Sequence, residues 1–178
     1  MTFVDTNILL YAISTQPDEA GKCQKAKAIL SDADLTLSVQ VLQEFYVQAT
    51  RPTRSDPLTH QEATALIQYW LRHRIVPLTV QVMQDALDIK KRYQTSYWDA
   101  AILAAAASAG CSELLSEDLN PGQSYDSVRR TTPSTARKSR KGPDFVGGRQ
   151  QADEVEVDAA EKHRVIQRRG LRQVFSVR

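Results

Sequence analysis

Four carboxylates are the residues of this sequence that could do chemistry together: Asp5, Glu44, Asp99 and Asp118. Carboxylates held at short range raise each other's pKa and are costly to bury unless a cation lies between them. The chain has three histidines and two cysteines, without metal-ligand spacing, and clustered carboxylate oxygens suit Mg²⁺ or Mn²⁺ rather than zinc. Such sites commonly activate water at a phosphodiester, so phosphodiester cleavage is the first candidate reaction.

The elements that must position these carboxylates alternate along residues 1–128. Short β-prone or apolar segments are followed by longer segments in which apolar residues recur at helical spacing. The predicted strands cover 2–4, 35–38, 75–78 and 113–116, with a possible fifth at 125–128. The predicted helices cover 8–12, 21–33, 39–50, a segment behind the capping box of Thr59 and Glu62, 80–93 and 100–109. This alternation predicts an α/β fold with a parallel sheet covered on both faces.

The predicted sheet would bring the carboxylates toward one edge. Asp5 ends the first strand, and Asp118 follows the fourth strand directly after Glu117. Ligands of such sheets bind beyond the carboxyl ends of the strands. Asp99 opens a helix that should pack beside this edge, and Glu44 lies in the first turns of the helix after the second strand. We therefore expect at least three of the four carboxylates to meet.

Each carboxylate also has an interpretation that involves no chemistry. Asp99 could cap its helix through a box with Ser96, a role that is compatible with metal binding. Glu44 points away from the centre of its helix's apolar stripe, which favours an exposed surface glutamate. Asp118 precedes a turn signature. Asp5 is harder to explain, because an aspartate at a buried strand end is costly without a partner.

Composition indicates an ordinary soluble domain. The 178 residues are 42% apolar and 25% charged, so the chain can bury a core and is not of low complexity. Two cysteines cannot form a disulfide framework. The longest apolar run, 100–107, is far shorter than a membrane span, and no basic region precedes an apolar stretch at the N-terminus. We expect a reduced, cytoplasmic protein.

Charge divides the chain near residue 129. Residues 1–128 contain 10 Lys/Arg and 15 Asp/Glu, whereas residues 129–178 contain 13 and 6, so an acidic body precedes a basic tail. The start of the tail has no apolar periodicity and cannot offset the entropy of ordering it. We expect a domain over 1–128 and a disordered or weakly helical tail over 129–178.

Four segments of the acidic body resemble, in order, the acidic motifs of PIN domains. They are FVDTNIL at 3–9, SVQVLQEF at 38–45, YWDAAI at 97–102 and LLSEDL at 114–119. One such motif alone would be weak, but four in order, with acids at the matching places, form a strong signal. The resemblance covers 1–128 and is greatest to VapC-type toxins of bacterial toxin–antitoxin pairs.

This resemblance implies a three-layer α/β/α fold and a Mg²⁺- or Mn²⁺-dependent endoribonuclease. It implies a catalytic site made of Asp5, Glu44, Asp99 and Asp118, with Asn7 and Ser116 in support. In this scheme Asp5, Asp99 and Asp118 hold the metal, and Glu44 positions the metal or its water. The resemblance also implies an RNA substrate, a homodimer and a cognate antitoxin that blocks the cleft.

The tail departs from the VapC pattern. Such chains usually end shortly after a fifth strand, whereas Arg130 opens a segment without a strand-like pattern, which puts the last strand in doubt. A shifted reading frame could account for this composition. The tail could add nonspecific RNA affinity or have no function. The altered end keeps open a second interpretation, an RNA-binding PIN-like module with impaired catalysis.

A phosphoryl-transfer domain that uses Asp5 is a third interpretation. Haloacid-dehalogenase-like phosphatases require a second aspartate two residues after the first, and Asn7 occupies that position.

The nuclease interpretation has its own requirement, because an acidic body repels RNA and basic side chains must line the approach. The candidates for this role are Arg51, Arg54, Arg72 and Arg74.

Overall fold

The computed structural model describes residues 1–119 and 124–132. Within these residues the strands are β1 (Thr2–Val4), β2 (Leu35–Ser38), β3 (Arg74–Val76), β4 (Glu113–Leu115), β5 (Ser124–Tyr125) and β6 (Val128–Thr131). The helices are α1 (Thr6–Ala12), α2 (Ala20–Leu30), α3 (Val39–Ala49), α4 (His60–Trp70), α5 (Val80–Tyr93) and α6 (Tyr97–Ser108), with a 3₁₀ turn at Pro17–Glu19. The predicted bounds of α5 and the capping box that opens α4 are confirmed.

The strands form one sheet in the order β3-β2-β1-β4-β6-β5. The neighbours from β3 to β6 in this order are parallel, and the short β5 runs antiparallel to β6. β1 is central, with Phe3 opposite Thr36 on one side and Leu114 on the other. β3 lies at an edge, as Pro77 directly after it predicts. The predicted α/β fold with a short-stranded parallel sheet is confirmed.

Helices cover both faces of the sheet because the chain first adds strands toward one edge of the sheet and then toward the other. From β1 through β2 to β3 the chain moves toward one edge, and it then returns to β4 on the far side of β1. Right-handed crossovers therefore place the first four helices on one face and α5 and α6 on the other. The packing agrees, since α1 contacts α2 and α3, α3 contacts α4, and α5 packs along α6. These are the three layers that the resemblance implies.

Helix α6 is buried on nearly all sides, as its apolar sequence predicts. Residues 100–106 are each at most 4% exposed, and the helix contacts β2, β3, β4 and β6. Its many alanines leave room for the strands to approach closely. Gly110 follows the helix in the left-handed region, at φ +69°, which suits a residue without a side chain. The packing of α6 fixes the position of Asp99 in its first turn.

The far edge of the sheet differs from the prediction. Instead of one strand at 125–128, the chain makes a hairpin between β5 and β6, with its turn at Asp126-Ser127. Asp126 adopts the left-handed region at φ +50° and accepts side-chain hydrogen bonds from Arg92 and Tyr93. β6 then continues in parallel pairing with β4 through Thr131.

The doubt about the last strand is therefore wrong. Arg129, Arg130 and Thr131 pair with β4, because a strand between β4 and β5 finds backbone partners on both sides whatever its charge. The sheet thus continues a few residues beyond the predicted domain 1–128. The rest of the predicted tail, 133–178, lies outside the described residues. Over 1–119 and 124–132, none of the helices has both the length and the apolar character needed to cross a membrane.

Candidate active site

Asp5 lies at the junction of β1 and α1, at the carboxyl edge of the sheet. Its carboxylate caps α1 by accepting a hydrogen bond from the Thr6 backbone N–H at 2.6 Å, and its own amide donates to the Leu115 carbonyl at 3.0 Å. Asp5 is only 4% exposed. Burial is the main reason that its pKa rises from 3.8 to about 7, and the charges of Asp118 and Glu44 raise it further.

Asn7 and Ser116 link Asp5 to Asp118. Asn7 Nδ2 donates to Asp5 Oδ2 at 3.1 Å and to Asp118 Oδ2 at 3.2 Å. Ser116 Oγ donates to Asp5 Oδ2 at 2.6 Å and accepts from the Asp118 backbone N–H at 3.2 Å. One amide nitrogen therefore bridges two carboxylates that are far apart in the sequence. These contacts orient both acids, which is the kind of support that the resemblance assigns to Asn7 and Ser116.

Glu44 approaches from α3 and is half-buried. Its Oε2 accepts a hydrogen bond from Thr6 Oγ1 at 2.8 Å, and its Oε1 accepts one from Gln40 Nε2 at 2.9 Å. Gln40 precedes Glu44 by four residues, so both side chains lie on one face of the helix. The alternative of an exposed surface glutamate is wrong, because Glu44 is half-buried and its carboxylate is held by Thr6 and Gln40. The i, i+4 spacing of Gln40 was the sequence signal for this contact.

Asp99 combines a capping contact with a place beside the other acids. Ser96 caps α6 by accepting from the Asp99 backbone N–H at 3.1 Å, and its hydroxyl donates to Asp99 Oδ2 at 2.8 Å. Thr95 donates to the same oxygen at 3.3 Å. The capping interpretation of Asp99 therefore holds, and these hydroxyls also fix the direction in which its carboxylate points.

The four carboxylates line one open cavity of about 430 Å³. Its lining is completed by Thr6, Asn7, Leu10, Gln48, Trp98 and Ile102. The structure thus brings all four acids, Asp5, Glu44, Asp99 and Asp118, to one cavity, where at least three were expected. Nevertheless, across the described part of the chain no three Asp, Glu, His or Cys side chains are arranged to hold one ion. The metal site of Asp5, Asp99 and Asp118 therefore stays a prediction.

The donor set of this cavity fits a hard divalent cation. The ionisable groups in its lining are all carboxylates, and the pKa of Asp5 near 7 reflects how costly its charge is there. Asn7 Oδ1 is buried without a hydrogen-bond partner among the described residues, so an oxygen acceptor is left unused beside Asp5. Mg²⁺ usually keeps several waters and takes one or two protein carboxylates. A partly hydrated cation could therefore be held by fewer than three of these acids.

A cluster outside the cavity tethers the segment that carries Asp118, and sequence reasoning missed it. Glu117 Oε2 accepts hydrogen bonds from Lys22 Nζ at 2.6 Å and from Tyr11 Oη at 2.8 Å. The Lys22 ammonium also lies 4.4 Å from the centre of the Tyr11 ring. Burial alone would raise the pKa of Glu117, but the hydrogen bonds from Lys22 and Tyr11 outweigh it and lower the pKa. Lys22 and Glu117 are 95 residues apart, and no local pattern signals their contact.

Two of the four basic residues expected at the approach lie elsewhere. Arg74 begins β3, at the end of the strands opposite to the cavity, where its guanidinium donates to the Ala109 carbonyl at 2.9 Å. Arg72 lies two residues earlier; its guanidinium stacks on the Tyr69 ring, 3.7 Å from the ring centre, and does not line the cavity. The expectation is wrong for these two because they precede a strand, whereas the cavity lies beyond the strand ends. Arg51 and Arg54 follow the end of α3 that reaches the cavity.

Comparison with known proteins gives one family match and several structural matches. The PIN domain family matches residues 2–122. A toxin–antitoxin complex from Klebsiella pneumoniae matches with a TM-score of 0.57 and 18% identity, covering 75% of this chain and 98% of that chain. VapC20 from Mycobacterium tuberculosis, described as a sarcin-ricin loop cleaving toxin, has a TM-score of 0.54 and 20% identity, covering 66% and 90%. FitAcB from Neisseria gonorrhoeae has a TM-score of 0.53 and 18% identity, covering 76% and 100%. A comparison with curated proteins finds no match. At these identities the structural matches show a shared fold.

Proposed function

The chain belongs to the PIN domain family, and on this basis we propose that it is a Mg²⁺- or Mn²⁺-dependent endoribonuclease, the toxin of a toxin–antitoxin pair. The observation that carries the proposal is the convergence of Asp5, Glu44, Asp99 and Asp118 on one open cavity at the carboxyl edge of the sheet. Fold neighbours that are described as toxins and toxin–antitoxin complexes support the biological role. One of them is described as cleaving the sarcin-ricin loop, which supports RNA as the substrate.

Each acid of the cavity takes a stated role in this proposal. Asp5, Asp99 and Asp118 hold the cation, and Glu44 positions it or a water. When bound, the cation activates water and stabilises the charge that develops on the scissile phosphate. Asn7 keeps the carboxylates of Asp5 and Asp118 oriented toward the same space. Asp5 must be ionised to act as a ligand, so cation binding releases a proton where the pKa of about 7 leaves it protonated.

The substrate is a single-stranded or looped segment of RNA in this proposal. An exposed, flexible backbone can enter an open cavity, whereas the backbone of a regular duplex is held in fixed geometry. The acids of the cavity repel phosphates, and the bound cation offsets that repulsion. Arg51 and Arg54 are the basic side chains proposed to contact the RNA backbone.

We also propose a homodimer and a protein antitoxin as partners. Val80, Met83 and Leu87 are 69%, 41% and 50% exposed and recur at helical spacing on α5, an apolar stripe that a second copy would cover. Sedimentation of the wild type and of Met83→Lys tests the dimer, since a charge within the stripe should yield monomers.

The antitoxin would cover the acidic cavity of the toxin in the cytoplasm, where both are made.

One observation favours the second interpretation, an RNA-binding module with impaired catalysis. Arg130 is 2% exposed, and its Nε and Nη1 atoms lack hydrogen-bond partners among the described residues. Two buried guanidinium nitrogens without hydrogen-bond partners are costly, even though the charge of Arg130 is attracted to the Glu117 carboxylate. Arg130 lies in β6, where the neighbouring Thr131 carbonyl accepts a hydrogen bond from the Ser116 N–H at 3.2 Å. A strained β6 would loosen Ser116 and, through it, Asp5.

Cleavage of single-stranded RNA in Mg²⁺, in Mn²⁺ and in EDTA tests the nuclease proposal. Asp99→Asn keeps the shape of the side chain and a possible contact with Ser96, but removes one charge from the cavity. Asp88→Asn is the matched control, because Asp88 is exposed on α5 and does not line the cavity. We expect cleavage by the wild type and the control with a cation only, and a loss of at least about 100-fold in Asp99→Asn.

Three outcomes would contradict the nuclease proposal. Cleavage by the wild type in EDTA would show that no cation is needed. Cleavage by Asp99→Asn at the wild-type rate would show that the cavity is not the active site. Metal-independent RNA binding without cleavage would support the impaired module instead.

A further inference from the structure

Trp98 is a large aromatic side chain left exposed at the acidic cavity. Its exposure is 62%. Several other large apolar side chains are exposed in the described part of the chain, among them Leu78 and Leu87, but Trp98 is the member of this group that lines the cavity. Tryptophan exposes much apolar surface to water when it is left uncovered. The position therefore needs an explanation that packing within the domain does not supply.

The indole is held in place by the structure around it. The Tyr97 ring packs edge-on against Trp98, with 5.4 Å between ring centroids and 71° between the ring planes. The Trp98 carbonyl accepts a hydrogen bond at 3.2 Å from Gln40 Nε2, the same atom that donates to Glu44. The next residue, Asp99, is itself fixed by the cap of α6. The backbone that carries the indole is thus fixed by the same contacts that orient two of the acids, and the Tyr97 ring packs against the indole itself.

We infer that Trp98 stacks on an unpaired base of the RNA substrate next to the scissile phosphate, an inference that rests on the proposed nuclease function. Stacking on an aromatic ring does not depend on charge, and every base offers a flat face to it. The carboxylates of the cavity repel phosphates, so a neutral contact to a base beside them adds affinity for the RNA without adding to that repulsion. Trp98 is then a positioning residue for the substrate.

This inference narrows the class of substrate. A base can lie flat on Trp98 only where it has left its own stack, as in loops, bulges and single strands. A continuous duplex, whose bases are stacked on one another, cannot offer such a face. The nucleotide adjacent to the cleaved bond should therefore be unstacked in every RNA that the protein cuts, whatever its sequence.

The two tryptophans of the chain allow a binding test that is independent of cleavage. Trp70 is fully buried, whereas Trp98 is exposed, so a base that stacks on the surface should quench only the emission of Trp98. A short single-stranded oligonucleotide with uncharged methylphosphonate linkages is titrated in EDTA, where the acids do not repel its backbone and the proposed reaction cannot proceed. We expect quenching in the wild type and in Trp70→Phe, and none in Trp98→Phe. Absence of quenching in Trp70→Phe would overturn the inference.

Steady-state cleavage with Mn²⁺ separates stacking from a merely structural role. Trp98→Ala should raise KM by roughly 5- to 100-fold, the loss of one base–aromatic stack, with kcat nearly unchanged. Trp98→Phe, which keeps an aromatic face, should recover most of this loss. Leu78→Ala is the control, because Leu78 is 57% exposed but does not line the cavity. An abasic nucleotide placed beside the cleavage site should remove the difference between the wild type and Trp98→Ala.

The outcomes distinguish this inference from the proposed function. Cleavage by the wild type, combined with an unchanged KM in Trp98→Ala, would overturn the stacking inference and leave the nuclease intact. Quenching of Trp98 by RNA without cleavage in either cation would support stacking and refute the nuclease. Full cleavage of a perfect duplex would overturn the stacking inference, because no base there is free to reach Trp98.

Discussion

Replacing Asp5 by asparagine should stabilise the metal-free protein at pH 8 while removing its response to Mn²⁺. The asparagine Oδ1 can keep the cap of α1, and the Ser116 hydroxyl can accept from the new amide instead of donating to a carboxylate. The Asn7 side chain can rotate so that its Oδ1, which is buried without a partner among the described residues, accepts as well, although the rotation breaks the hydrogen bond from Asn7 Nδ2 to Asp118. The substitution therefore removes a buried charge at the cost of one hydrogen bond, the one from Asn7 to the exposed Asp118.

The magnitude follows from the pKa of Asp5, which burial raises from 3.8 to about 7. Because the folded protein holds this proton more tightly, the stability that Asp5 contributes is complete below pH 4 and is lost as the pH rises through about 7. A rise of three pKa units corresponds to about 4 kcal/mol at most. Partial relaxation around the charge reduces this, so we expect Asp5→Asn to gain about 2–4 kcal/mol at pH 8 and little at pH 4.

Urea unfolding in EDTA at both pH values, followed by the same measurement with Mn²⁺, checks this prediction. Comparing two variants at one pH cancels the other titrating groups, such as His73, whose burial lowers its pKa to about 4. Asp88→Asn, an exposed acid on α5, is the matched control and should show no pH-dependent difference. Mn²⁺ should stabilise the wild type and the control, but not Asp5→Asn.

A lower stability of Asp5→Asn at pH 8 would refute the reasoning about the buried charge. A difference between Asp5→Asn and the wild type that is the same at pH 4 and pH 8 would also refute it. Equal stabilisation of both proteins by Mn²⁺ would show that the cation binds elsewhere.

Three further predictions concern the elements around the site. Arg130→Leu should raise the free energy of unfolding by about 1 kcal/mol, measured with urea, because the gain from removing two buried nitrogens without partners in the described structure exceeds the lost attraction between Arg130 and Glu117; a loss of stability would contradict this. Lys22→Ala should cost less than about 1 kcal/mol, because its bridge to Glu117 is partly exposed, at 48% and 27%; a double-mutant cycle with Glu117→Gln measures the coupling. A chain that ends at Thr132 should keep cooperative unfolding and Mn²⁺ stabilisation, whereas one that ends at Ser127 should lose both, because it lacks β6.

The local patterns predicted most of the elements that form this site. The alternation of apolar and amphipathic segments indicated the parallel sheet, and the placement of Asp5 and Asp118 after strands predicted the edge at which they meet. Caps worked equally well, since Thr59 opens α4 and Ser96 opens α6 as their spacing predicts. These features depend on contacts between residues close in sequence, or on rules of topology that hold for any parallel sheet.

The features that the sequence did not reveal all depend on distant partners. Arg129 and Arg130 lack the sequence character of strand residues. They form part of a strand because β6 pairs with both β4 and β5. The bridge between Lys22 and Glu117 joins α2 to the segment after β4, and no local spacing signals it. Placing Arg74 at the approach failed because its position at the start of β3 puts it at the opposite end of the strands. These features depend on how distant segments pair within the sheet and pack against it, which no local pattern records.

The central claim is that the cavity lined by Asp5, Glu44, Asp99 and Asp118 holds the divalent cation on which RNA cleavage depends. The most direct test is an anomalous difference map, collected at the manganese edge, from crystals soaked in Mn²⁺. We predict a peak within the cavity, in contact with at least one of Asp5, Asp99 and Asp118, that is lost in Asp5→Asn. An empty cavity in crystals whose redissolved protein cleaves RNA with Mn²⁺ would contradict the claim.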